Sequence, residues 1–246
     1  MKTANKILLT AFVLLILALF SILLILRMEL SRELHQGSGN VIIEERAADS
    51  FNMIEVRGNF NVYLTQSDNY EIRVEADDNL MDYILTDIKK DQLKIRLNKA
   101  VGKHSKMNVY IAFSDLNRLD GSVGAHFIAD QPIKGENFIH NLHSGAESTL
   151  NLHLQQLEVN LKGGVSTRLS GHVADMFAKV TSGSRMDSKE LHVVNCDVKG
   201  TSGAEISVFV TESLTAKATS GSVIYHYGDP KHTEWNTSFG GSIIAK

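Results

Sequence analysis

The sequence predicts an all-β fold, a parallel β-helix-like solenoid of about 20 residues per coil preceded by one N-terminal transmembrane helix. Three observations predict it. From Ile7 to Leu26 the chain is apolar except at Thr10 and Ser21. Through the second half, a small-Gly-small unit returns every 18 to 21 residues. Around each unit apolar and polar residues alternate with period two, the spacing of strands and not of helices.

Composition narrows the function classes first. The chain has 246 residues, 43% hydrophobic and 22% charged, which excludes a disordered polymer and leaves room for one or two domains. Its formal net charge of −3 offers no basic surplus for a phosphate backbone, so no nucleic-acid partner is expected. Cys196 is the single cysteine, which excludes an internal disulfide and a cysteine zinc site. The fold must rest on burial and backbone hydrogen bonds.

Residues 1–6 form a short tail, and 7–26 are long enough for about 30 Å of helix, one bilayer core. A cleaved signal peptide has a shorter apolar core and a small-x-small site after it. Here Arg27, Met28 and Glu29 follow directly, so 7–26 reads as an uncleaved signal anchor. No cysteine follows the apolar run, which excludes a lipid anchor. Lys2 and Lys6 face Arg27 and Arg32 across it, a small bias toward an inside N-terminus. The rest of the chain is then expected outside the cytoplasm, in the cell envelope. Residues 27–40, with Gly37, Ser38 and Gly39, read as a polar tether.

The head domain is expected over 41–246, with decorated first coils at 41–120 and regular coils at 121–246. Strand alternation runs through Ile54 and Val56, through Phe60, Val62 and Leu64, through Ile72 and Val74, through Leu93, Ile95 and Leu97, and through Met107, Val109, Ile111 and Phe113. One helix is expected at Asp78–Thr86, with Asp77, Asp78 and Asn79 as capping residues and Leu80, Tyr83 and Ile84 on one face. These coils cap one end of the stack, and no polar linker near 120 separates them from the rest.

In the regular part, VGAHF, SGAES, GGVST, SGSRM, SGAEI, SGSVI and GGSII place glycines at 124, 145, 164, 183, 203, 221 and 241. Three residues on stand Phe127, Ser148, Thr167, Met186, Ile206, Ile224 and Ile244; five before the glycine stand Val159, Ala178, Val198 and Ala216. Polar rows interleave them, Asn160, Lys179, Lys199 and Lys217 in one, Glu147, Ser166, Arg185 and Glu205 in another. A single unit cannot bury its inner face, so neighbours must stack on it. The glycines are expected either at turns with positive φ or where a missing Cβ lets coils approach.

The runs FNMIEVRGNFNVYLTQ, VEADDNLMDYILT and DQLKIRLN, the recurrent SGA and SGS units and a closing YGDP resemble the head GIN domain family. That family carries an auto-transporter adhesin label and no assigned molecular function. The likeness runs from Phe51 to Ile244. It implies a right-handed β-helix-like domain exported by a Gram-negative bacterium of the Bacteroidetes type, and it implies no catalytic residues.

Chemistry is scarce. HExxH, GxSxG, a P-loop, GxGxxG and CxxC are all absent. One outward column stands out: His153, His172 and His192 each lie eleven residues before the next coil's glycine, with Gln156, Asp175 and Asn195 beside them at eight. Stacked imidazoles near a carboxylate are one route to a transition metal. Three ligands in line do not make a tetrahedral shell, however, and like residues stack at solenoid corners because they fit. No metal site, cofactor or catalytic residue is therefore assigned. His140 and His143 fall on opposite sides of one strand. Glu147 and Glu205 share a phase but lie three coils apart, about 14 Å, too far for a glycosidase pair. Asp175, Asp187 and Asp197 occupy three different phases. Tyr225, Tyr227 and Trp235 gather at the C-terminal end, either to cover the last coil or to offer a platform. Cys196 lines up with Leu157, Met176 and Leu214 as a buried residue.

The sequence thus points to a non-enzymatic, membrane-anchored envelope protein whose solenoid side wall binds a polysaccharide or protein. A tethered scaffold that self-assembles is the alternative, and an enzyme that modifies envelope polysaccharides is a weaker one.

Overall fold

The structure, a computed structural model, describes residues 3–32 and 34–246. The expected tail lies partly outside them, as do the side chains at 3–7, 10 and 28–32. Helix α1 spans Thr3–Arg32. Among the described residues no helix is long and apolar enough to cross a membrane. Every described side chain of α1 is exposed, its large apolar ones from Leu8 at 74% to Leu24 at 46%.

Sixteen strands follow. The first eight are β1 (Val41–Arg46), β2 (Met53–Arg57), β3 (Asn61–Gln66), β4 (Glu71–Asp77), β5 (Ile84–Lys89), β6 (Gln92–Leu97), β7 (Met107–Phe113) and β8 (Arg118–Ser122). Then come the long strands β9 (His126–His143), β10 (Glu147–Lys162), β11 (Ser166–Thr181), β12 (Arg185–Thr201) and β13 (Glu205–Thr219). The chain closes with β14 (Val223–Tyr227), β15 (His232–Ser238) and β16 (Ser242–Ala245).

Each long strand belongs to two walls. β9 pairs with β3 through 126–128 and with β8 through 139–143, while β13 pairs with β14 at one end and β15 at the other. One wall therefore runs β1-β4-β7-β3, then the first halves of β9 to β13, then β14-β16. The other runs β5-β6-β2-β8, then the second halves, then β15. From β9 onward every pairing is parallel, with partners 17 to 21 residues apart, such as Glu147 with His126 and His192 with Phe209. The inward rows close the core between the walls: Phe127, Met186, Ile206 and Ile224, and opposite them Val159, Val198 and Ala216, are buried.

The glycines work through their backbone angles. At seven turns of the regular coils two successive residues have positive φ, the second always glycine: Val123–Gly124, Ser144–Gly145, Gly163–Gly164, Ser182–Gly183, Ser202–Gly203, Ser220–Gly221 and Phe239–Gly240; the β5–β6 hairpin has the same pair of angles at Lys90–Asp91 without glycine. Several close with an i to i+3 hydrogen bond, such as Ser184 N to Thr181 O at 3.3 Å, the signature of a tight type I′ reversal. A Cβ on Gly145 or Gly183 would meet nothing within 4 Å, so conformation and not space selects glycine there. The last unit corrects the expected phase. Gly240, not Gly241, is the left-handed residue, so Ile243 pairs with the buried Ile224 while Ile244 faces out, 38% exposed.

Two further expectations change in the first coils. Only Asp78–Tyr83 is helical, and it is a 3-10 turn; Ile84 and Thr86 instead join β5, antiparallel to β6. Being β-branched, they favour the pleated wall that β6 offers. Asp77 makes no cap hydrogen bond to that turn. Its carboxylate accepts from Gly39 N at 2.8 Å and Ser105 N at 2.7 Å, and Asp78 and Asn79 hold Ser38 and Asn40. Residues 35–40 are thus bound to the domain, with His35 bridged to Val101.

Nor do the first coils stack in chain order. β2 lies between β6 and β8, and β3 between β7 and β9, so the coil made first is enclosed by two made later. The 3-10 turn crosses from β4 in one wall to β5 in the other, and Leu80 and Met81 plug the core beneath it.

Candidate functional site

The histidine column forms as an outward ladder on the corner between the walls. His153 pairs with His172 and His172 with His192, with ring centroids 5.3 Å apart at both steps. The ladder extends further than the glycine count shows. Lys134 precedes it opposite His153; Phe209 follows at 4.5 Å from His192, and Tyr227 is paired next to Phe209. Lys134 keeps the phase, eleven before Gly145, and went unnoticed because it is not a histidine. Phe209 lost it because the pairing shifts between Ser188 and His192, leaving it twelve before Gly221.

Beside the rings runs a shallow groove of about 400 Å³ lined by Gln155, Ala174, Val194 and Thr211. Val194 is 40% exposed, an apolar floor for the groove. The neighbouring column also forms: Gln156 pairs with Asp175 and Asp175 with Asn195, whose Nδ2 donates to Asp175 Oδ1 at 2.9 Å. Among the described residues no three His, Cys, Asp or Glu side chains converge as metal ligands. What the ladder presents is a row of exposed rings at coil spacing, tilted against one another by 36° to 62°, with polar imidazole nitrogens among them, a surface for a long ligand.

The other candidates separate. His143 is exposed, whereas His140 is fully buried, its Nε2 hydrogen bonded to Ser148 Oγ at 2.9 Å across the core. Ser148 also bonds Thr167 on the next coil. Burial pushes the His140 pKa from 6.5 down to about 4, so the ring is neutral in the fold. This serine–histidine pair is sealed from solvent and suits register, not turnover. Glu205 is paired with Arg185 and stands three coils from Glu147. Cys196 is buried in the row of Leu157, Met176 and Leu214, and burial raises its thiol pKa. Tyr225 faces outward under Lys246, and Trp235, 49% exposed, lies 5.2 Å from His226.

The family model described as "Putative auto-transporter adhesin, head GIN domain" matches residues 50–230. The chain belongs to the head GIN domain family. Crystal structures share the fold: a "putative adhesin" from Bacteroides fragilis NCTC 9343 is 19% identical, with TM-score 0.82, covering 86% of this chain and 100% of that one. Another from Parabacteroides merdae ATCC 43184 is 20% identical, with TM-score 0.72, covering 87% and 99%. A structure from Parabacteroides distasonis ATCC 8503, 20% identical with TM-score 0.71 and covering 86% and 99%, is described as a "putative lipid binding protein". No curated protein matches the chain.

Proposed function

We propose that this head GIN domain protein is a membrane-anchored adhesion module of the cell envelope, and that its side wall binds an extended polysaccharide along the ladder from His153 to Phe209. The carrying observation is the ladder itself, rings in register from coil to coil along a groove parallel to the solenoid axis. A polymer lying there meets a ring at each step of about 4.8 Å, so weak stacking contacts add along its length. Anchoring rests on the apolar run Ile7–Leu26, within a helix whose described side chains are exposed on all sides and so need an apolar cover. With the N-terminus inside, the head stands outside the cytoplasm.

The test uses the full chain in detergent micelles on immobilised envelope and host polysaccharides, recording retained protein and released reducing or unsaturated ends. Retention without product, lost in His172→Ala, is the expected result. Released ends would mean an enzyme, and retention unchanged in His172→Ala would place the ligand elsewhere.

A further inference from the structure

At the C-terminal end both walls stop on bare edges. β15 is hydrogen bonded to β13 and β16 to β14, and among the described residues neither edge has a strand on its other side. Trp235 occupies an inward row opposite buried Ala216, yet it is half exposed. Beneath it His226 is 5% exposed and neither ring nitrogen has a partner. Phe239 stands out at the final turn, 86% exposed with φ of 49°, where four of the other six turns carry serine. A bulky apolar residue held in the left-handed region and in water points to contact with another surface.

We infer that this end docks on the same end of a second copy about a two-fold axis parallel to the strands, each β15 pairing antiparallel with the other copy's β16. The helical path sets that geometry. One chain winding around two walls puts the β16 edge half a coil, about 2.4 Å, beyond the β15 edge. A two-fold axis along the sheet normal would bring β15 to β15 and β16 to β16 with gaps differing by a whole coil spacing. The axis along the strands makes both gaps equal, so both edges close together and Trp235 is covered from each side. Charge agrees, since β15 carries outward Glu234 and β16 is followed by Lys246. Head-to-tail stacking is disfavoured because Leu80 and Met81 plug the core at the opposite end and its edge strand β1, unpaired on its outer side among the described residues, ends in Glu44, Glu45 and Arg46.

The test is the full chain in detergent micelles, diluted from about 100 μM to about 1 μM, a range that spans dissociation constants in the micromolar decade. Sedimentation should show a dimer, and Trp235→Glu should raise its dissociation constant at least tenfold, with an unchanged circular dichroism spectrum confirming the fold. A mixture of Asn236→Cys and Ile244→Cys chains should cross-link between copies, while each variant alone should not. A monomer throughout, or a dimer indifferent to Trp235→Glu as association through α1 would be, overturns the inference. So does cross-linking of Asn236→Cys to itself.

Discussion

The two ends of the solenoid solve the same problem in opposite ways. At the N-terminal end an antiparallel pair, a 3-10 turn and a bound segment close the core, and Leu80 there is wholly buried. At the C-terminal end no strand pairs with the outer side of β15 or β16 among the described residues, and Trp235 is half exposed in an inward row. Both edges are built of the same hydrogen-bonding backbone. Among the described residues the edge strands β1 and β5 are unpaired on their outer sides like β15 and β16, so what sets the ends apart is the core between them, plugged at one end by Leu80 and Met81 and left half open at the other around Trp235.

The sharpest way to break the comparison is to truncate one plug at each end. Leu80→Ala should cost about 3 kcal/mol by creating a cavity. Trp235→Ala should cost less, about 2 kcal/mol, at concentrations where the chain is monomeric, because that ring is already half in water. Urea midpoints of the two variants measure the contrast, and equal losses would mean the C-terminal end is as closed as the other.

Acid provides the next contrast. His140 is neutral in the fold, with its pKa lowered to about 4, whereas an unfolded histidine gains its proton near 6.5. Its stability contribution is therefore whole above pH 6.5 and is lost as pH falls toward 4, by about 3 kcal/mol in total. Glu75 is held below the usual range chiefly by the hydrogen bond from Lys106, and Asp77 chiefly by the backbone N–H of Ser105. Their contributions are present above the ordinary carboxylate pKa and are lost only as pH drops below it. Melting His140→Leu against the parent chain between pH 7 and 4 should show a flatter profile for the variant; parallel profiles would remove His140 as the cause.

Smaller effects come last. Phe239→Gly should raise stability by roughly 1 kcal/mol, since glycine adopts the left-handed angle without strain. His172→Ala, at an exposed ladder position, should stay within about 0.5 kcal/mol of the parent, so any lost binding is not lost folding. Thermal denaturation at concentrations where the chain is monomeric reads both, and destabilisation by Phe239→Gly there would show that the phenyl ring packs against the fold.

The contrast between the ends also decides what the sequence made legible. From β9 on, chain order is stacking order, so one period in the glycines places the inward rows, the histidine ladder and Cys196 together. The doublet Gly240–Gly241 misled by one residue because composition cannot say which glycine is left-handed; the pairing of Ile224 with Ile243 does. Before β9 the period fails because partners such as Val62 and Val109 are distant in the chain and neighbours in space. Asp77, Asp78 and Asn79 read as helix caps, since the segment they hold, 36–40, joins them only in three dimensions. The link from His140 to Ser148 and Thr167 stayed hidden for a related reason, because its members sit on facing walls.

The enclosed coil of β2 and β3 has a consequence for how the molecule comes into being. A ribosome delivers residues 53–66 first, but one neighbour, β7, ends at Phe113, and the other begins at His126. Its first side is bedded only once β6 and β7 are complete at Phe113, and its second only when nearly 130 residues have emerged; such distant closures are slow to nucleate. The earliest part of the chain must therefore wait unfolded for the middle, and only the later coils can be laid down one after another as they are made.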